Sequence, residues 1–241
     1  MSSPTLLPSL ARAIRGLSAL FWGLPLTLFV TANLALGMSS QSRAVPIPGM
    51  IGTALNTLSA VFPAVFAQVL VIYGLKLLKA FQAQERVWVA ALERAQLIAW
   101  LNVGLVPFAF WFSRRPQETL FSHAFLLSLF SALAFLAALN HVLRRLAAML
   151  PDETLRADTR TFTALNIRVL IVLGILLGLT LWVGRSRESM IAAGPILSSL
   201  ARFEPWHLLL PGLLPVALTM TMLWKTKEVI LMSVFGGPRQ Q

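Results

Sequence analysis

The sequence contains no cysteine among its 241 residues. This absence excludes disulfides, thiolate metal sites, iron–sulfur clusters and cysteine nucleophiles. Charge is also scarce: Asp, Glu, Lys and Arg make up 12% of the chain, whereas soluble globular domains use about 25%. With 57% hydrophobic residues and a mean hydropathy of +0.75, this composition indicates a surface that lipid must largely cover.

Charged side chains are missing altogether from six long windows of the sequence. A hydrocarbon core about 30 Å thick needs roughly 20 helical residues to cross it. The windows therefore predict an all-α fold, a polytopic transmembrane helical bundle of six spans that forms one integral-membrane domain over residues 1–241. The predicted spans lie near residues 17–37, 58–80, 96–113, 119–143, 165–184 and 206–224.

The basic residues are distributed unequally over the two sides that six spans define. The formal net charge is +11, and with a cytoplasmic N-terminus 14 basic residues fall on the inner side and 6 on the outer side. By the positive-inside rule this bias predicts a multi-pass protein of the inner cell membrane with both termini cytoplasmic. Because the charges flank apolar spans, we expect anionic lipid headgroups as partners and no nucleic acid.

Two amphipathic segments are predicted to lie at the membrane surface. Residues 1–16 form an interfacial helix before span one, and Phe81–Arg94, which has no Pro or Gly, forms a second helix along the inner surface. We expect Trp88 at headgroup level. Near the outer face, residues 189–201 are too short to cross and predict an interfacial or re-entrant segment. The predicted partner or lipid surface comprises Arg86, Trp88, Arg94, Arg144 and Arg145.

The first span also has features of a signal peptide, since Arg12 and Arg15 precede its apolar stretch. That stretch is roughly twice the 7 to 15 residues of a secretory core, which favours retention as a membrane helix. Spans two and three resemble spans four and five at an offset of 66 to 70 residues, which predicts a duplicated, parallel helical hairpin. The alternative is that two hairpins obeying the same charge rule look alike.

The spans lack the usual carriers of chemistry. Their central turns hold no Asp, Glu or Lys, which disfavours an ion-coupled transporter. No P-loop, HExxH or GxSxG motif is present at a plausible depth, so we expect no enzyme. His123 and His207 would both lie near the outer surface, where one bis-histidine haem is geometrically possible. Interfacial histidines are common without a cofactor, and we expect none.

Polar and small side chains inside the spans predict helix contacts. Gly174 and Gly178 form a GxxxG motif in span five, and Ala134 and Ala138 give span four a similar small face. These faces mark close packing, either within the chain or between chains. Interhelical hydrogen bonds are the favoured role of the polar residues, with a substrate path as the alternative. They are Asn33, Gln68, Tyr73, Asn102, Ser128, Ser131 and Asn140.

Two functions follow from these patterns. The first is a non-catalytic membrane subunit or scaffold of a multi-protein complex, which binds other subunits or copies of itself. The alternative rests on layout: the entry helix, the surface helix after span two and the re-entrant segment before span six resemble the permeases of ABC-2 type exporters. No residue motif accompanies that layout. The resemblance implies a separate ATPase, to which Gln82–Arg94 would couple.

Overall fold

The computed structural model describes residues 6–37, 50–115, 117–184 and 205–235. Within these ranges all regular secondary structure is helical, which confirms the all-α fold. The predicted outer segment at residues 189–201 lies outside the described residues. The six helices are α1 (Leu6–Ala35), α2 (Met50–Lys79), α3 (Arg86–Arg114), α4 (Thr119–Met149), α5 (Glu153–Gly184) and α6 (Pro205–Phe235).

Five of these helices, α1 to α5, are long and apolar enough to cross a membrane. Each contains an 18-residue window with a mean hydropathy between 1.5 and 2.2. Helices satisfy their own backbone hydrogen bonds, which is what allows a chain to traverse hydrocarbon. The fold is therefore that of a multi-pass membrane protein built as a helical bundle.

Neighbouring helices in the sequence are neighbours in space. Each helix packs against the next, and α6 returns to pack against α1, so that the bundle closes. Additional contacts join α1 to α3 and α4 to α6. The main core contains Leu17 and Leu20 of α1, Leu75 of α2, Leu92 of α3 and Leu143 of α4, all at 0% exposure.

The prediction of two separate surface helices is wrong, because each segment is the beginning of a longer helix. Residues 6–16 are the first turns of α1, which continues without interruption to Ala35. Residues 80–85 form turns, and α3 begins at Arg86 and runs through span three to Arg114. The physical reason is a stripe of buried side chains at intervals of three and four residues, which continues from the supposed surface segment into the span. In α3 this stripe is Trp88, Leu92, Ala95 and Ala99.

Helix α5 begins about three turns before the predicted span five. Pro151 follows the end of α4, and the Asp152 carboxylate accepts hydrogen bonds from the Leu155 N–H at 3.0 Å and the Thr154 hydroxyl at 2.6 Å. A carboxylate in this position satisfies a free N–H group at the helix start. Pro151 and Asp152 mark the break between α4 and α5. The polar residues that follow are therefore helical.

Candidate functional site: a polar seam between helices α5 and α6

A row of polar side chains lies in the packed interface of α5. Thr159, Thr163 and Asn166 follow one another at intervals of four and three residues, which places them on one face of the helix. Their exposed fractions are 1%, 3% and 0%. On α6, Thr219 and Thr226 are each fully buried. We call these five residues, together with Asn140 of α4 and the Asp158–Lys225 ion pair, the polar seam.

The buried end of the polar seam joins three helices through hydrogen bonds. The side-chain amides of Asn140 and Asn166 both donate to the Thr219 hydroxyl oxygen, at 3.1 Å and 2.9 Å. Thr219 in turn donates to the Pro215 carbonyl at 2.7 Å. Asn166 donates to that same carbonyl at 3.2 Å, and Asn140 donates to the Leu136 carbonyl at 2.8 Å. These bonds tie α4 and α5 to one point on α6.

The end of the polar seam nearest the start of α5 carries a charge pair. The Lys225 ammonium lies 2.9 Å from the Asp158 carboxylate, and both side chains are nearly half exposed. The same ammonium lies 5.4 Å from the centre of the Phe162 ring, a distance typical of a cation–π contact. Asp158 precedes Asn166 by eight residues, which corresponds to about 12 Å along a helix. The seam therefore runs from a charged, half-exposed end to a neutral, buried end.

The chemistry available in the seam is hydrogen bonding. Its buried members are amides and hydroxyls, which can recognise a small polar molecule but supply neither a strong base nor a metal ligand set. Across the described ranges no group of three or more His, Cys, Asp or Glu side chains comes together to hold a metal ion. The buried members of the seam therefore supply hydrogen-bond donors and acceptors between packed helices.

The predicted small-residue faces behave differently from one another. Within the described part of the chain, a methyl group added at Gly174 or Gly178 would meet no atom within 4 Å. These glycines therefore make no close helix contact among the described residues, and contact between chains remains the open interpretation. On α4, Ala134 is exposed, whereas Ala138 is partly buried and packs against the main core.

Close backbone packing occurs instead between α1 and α2. A methyl group on Gly16 would lie 2.8 Å from the Gly74 carbonyl oxygen, and one on Gly74 would lie 2.9 Å from the Gly16 carbonyl oxygen. A methyl group on Gly23 would lie 2.9 Å from Cγ2 of Val71. Sequence reasoning missed these residues. The sequence pattern that could have identified them is the seven-residue interval between Gly16 and Gly23, which places both glycines on one face of a helix.

The predicted partner or lipid surface is only partly a surface. Arg86, Arg94, Arg144 and Arg145 are exposed. Trp88 is 0% exposed and belongs to the main core, so its assignment to the headgroup layer is wrong. The reason is the buried stripe of α3, which places the indole in the core although Arg86 lies only two residues away.

The histidines of the haem hypothesis lie on different helices. His123 is exposed on α4. His207 falls in the first turn of α6, where the side chain lies outside those described. His141 lies 3.4 Å from the Arg144 guanidinium, at the other end of α4. The expectation that no cofactor is bound stays a prediction.

Most of the polar residues predicted in the spans are buried. Asn33 is only partly buried and donates to the Phe29 carbonyl of its own helix. Tyr73 is 53% exposed, so its predicted burial is wrong. The polar seam was missed except for Asn140: Thr159 and Thr163 lie where the sequence indicated a connection, whereas Asn166 and Thr219 lie within predicted spans five and six but were not singled out. Burial is confirmed for Gln68, Asn102, Ser128, Ser131 and Asn140.

Sequence and structural comparisons give no family for this fold and seam. No protein-family model, curated protein or solved structure matches the chain.

Proposed function

We propose that the protein is a non-catalytic integral membrane subunit, a scaffold that binds another subunit or a second copy of itself. The observation that carries this proposal is the outward face of α5. Ile171 and Ile175 are 56% and 57% exposed, and the open Gly174 and Gly178 lie beside them at intervals of three and four residues. We call these four residues the α5 stripe. Small residues let helix backbones approach closely in lipid, where dispersion contacts stabilise association.

The packing of the bundle supports the same conclusion. In their most apolar windows, α2 and α3 bury 39% of their residues, whereas α4 and α5 bury 17%. Lipid can cover apolar side chains, but a glycine pair with no described residue packed against it gives a lipid-facing helix no packing advantage and weakens the helix. A partner helix would use that space.

The proposal includes an orientation and a lipid environment. We place the chain in the inner membrane with six spans, both termini cytoplasmic and a duplicated hairpin. The support is the charge bias of the sequence, with 14 basic residues on the proposed inner side. The exposed Arg94, Arg144 and Arg145 would then contact anionic lipid headgroups.

The test replaces both glycines of the α5 stripe with leucine. Leucine side chains at Gly174 and Gly178 would hold a partner helix away, so we expect association to weaken at least about tenfold, equivalent to 1.4 kcal/mol. The matched control is Gly104→Leu on α3, because Gly104 also has no described atom within 4 Å of an added methyl group. Association is measured by crosslinking in membranes and by the mass of the complex in mild detergent.

The natural chain should purify with further copies or with another subunit, and the Gly104→Leu chain should do the same. A stable lone monomer with measurable ion-coupled transport would contradict the scaffold. The alternative function, an ABC-2-like permease with a separate ATPase, draws support from the polar seam as a possible path. The chain lacks the separate helix over Gln82–Arg94 that would couple to that ATPase, since α3 begins at Arg86 and continues to Arg114. Recovery of an ATPase in the same purification would favour it.

A further inference from the structure

One oxygen at the buried end of the polar seam accepts no hydrogen bond. Asn166 is 0% exposed, and no described residue donates to its Oδ1. Its orientation is fixed, because Nδ2 points at the Pro215 carbonyl oxygen, which can only accept. The Thr219 hydroxyl already accepts two amide bonds and donates a third. The free acceptor of Asn166 is therefore a property of this arrangement and not of a reversed amide.

A second free group lies one turn away on the same face of α5. Thr163 is 3% exposed, and its hydroxyl has no partner among the described residues. The other threonines of the seam each donate to the carbonyl four residues earlier, at 2.7 Å for Thr159, 2.7 Å for Thr219 and 2.8 Å for Thr226. Thr163 departs from that pattern, which leaves a donor and an acceptor available beside the Asn166 oxygen.

These groups define the chemistry of what they bind. The Asn166 oxygen only accepts, so the ligand must donate a hydrogen bond, whereas the Thr163 hydroxyl can donate or accept. An anion is excluded at the Asn166 oxygen because both would present lone pairs. A buried carbonyl without a donor is costly, which favours a bound donor over an empty space. The half-exposed Asp158–Lys225 pair lies about 12 Å from Asn166 along α5 and is the nearest solvent-exposed part of the seam.

We propose that Oδ1 of Asn166 and the hydroxyl of Thr163 form a binding site for a small hydrogen-bond donor, either water or an ammonium ion, which enters past Asp158 and Lys225. The site is separate from the scaffold proposal, because no residue of the α5 stripe belongs to the polar seam, and Ile171 and Ile175 are exposed whereas Thr163 and Asn166 are buried. The proposal thus gives the protein a polar binding position within the helical bundle.

The absence of native cysteine makes the site directly testable. A single cysteine is introduced as Thr163→Cys in the full chain, in membrane fragments open on both sides. Its reaction with a small thiol reagent bearing a primary ammonium group is timed. The matched control is Ala99→Cys on α3, since Ala99 is 0% exposed and lies in the apolar core. We expect Thr163→Cys to react at least about tenfold faster, because a thiol reacts only where water and reagent reach it.

A rate for Thr163→Cys equal to that of Ala99→Cys would overturn the site. Reaction that ammonium chloride slows, with sodium chloride as the salt control, identifies ammonium as a ligand; reaction insensitive to it identifies water alone. If Thr163→Cys does not fold, Thr159→Cys serves instead, because Thr159 is 1% exposed and lies nearer the entry. Failure of thiol labelling leaves the association test on the α5 stripe unaffected, so the two proposals can fail separately.

Discussion

Helices α1 and α2 pack closely through apolar side chains and glycines, whereas α4, α5 and α6 are also joined by hydrogen bonds between polar side chains. At the first interface Gly16 and Gly74 bring the two backbones together, with Leu17, Leu20 and Leu75 fully buried around them. At the second, two asparagines and a threonine share hydrogen bonds across three helices. The same bundle therefore uses both of the means by which helices associate in lipid.

The two kinds of interface differ in how well they tolerate substitutions. Apolar packing around a glycine depends on shape, so a single added methyl group is felt by both backbones. A hydrogen bond between membrane helices contributes only about 0.6 kcal/mol on average, since the separated helices find other partners. We therefore expect the α1–α2 pair to be the more sensitive region and the polar seam the more adjustable one.

The largest effect should come from Gly74→Ala. The new methyl group would lie 2.9 Å from the Gly16 carbonyl oxygen and 3.2 Å from the Leu20 nitrogen, so that α1 and α2 must separate. We expect the free energy of unfolding to fall by up to about 3 kcal/mol. Unfolding by SDS titration in mixed micelles measures it. Gly174→Ala is the matched control and should be neutral or stabilising by up to about 1 kcal/mol. Equal losses at both positions would refute the distinction.

A smaller effect is expected from Thr219→Val. The change removes the oxygen that accepts from Asn140 and Asn166, and we expect a loss of about 1–2 kcal/mol, from two interhelical bonds of about 0.6 kcal/mol or more each. The control is Thr221→Val on the same helix, because Thr221 is exposed and bonds only to the Ala217 carbonyl. The control should stay within about 0.5 kcal/mol. Indistinguishable unfolding of the two variants would mean that the polar bonds do not hold the helices.

The smallest effects should come from the two ion pairs, one between α2 and α3 and one between α5 and α6. Lys79 lies 2.7 Å from Glu93 and Lys225 lies 2.9 Å from Asp158, with all four side chains at least 40% exposed. We expect Lys79→Met and Lys225→Met to cost less than about 1 kcal/mol each, and less at high salt. Lys225→Met should cost more, because Lys225 also contacts the Phe162 ring. Equal unfolding midpoints in low salt would count against that order.

The fold was predictable because its dominant signal is the exclusion of charge from lipid. The uncharged windows predicted the all-α membrane bundle. The helix ends outside the hydrocarbon were not predictable in the same way. Charge marks where a window ends, but it does not stop a helix, so α3 and α5 extend through charged turns.

The candidate site was harder to predict than the fold for a related reason. Thr159 and Thr163 lie among arginines and an aspartate, so composition assigned them to a polar connection, although their spacing suits one buried face. The prediction for Trp88 was wrong for the opposite reason. An aromatic residue close to a basic residue such as Arg86 is typical of a membrane interface, but the Trp88 side chain faces the core. Which side of a helix meets its neighbours depends on the arrangement of the whole bundle.

The polar junction on Thr219 also imposes an order on biosynthesis. Thr219 is made 79 residues after Asn140 and 53 residues after Asn166. The ribosome adds about 5 to 20 residues per second, so a delay of 79 residues lasts about 4 to 16 s. The glycine contact of α1 with α2 needs no later helix, whereas the two asparagine amides must wait for α6 to emerge. The emergence of α6 is therefore the event that releases these amides from water or from substitute partners.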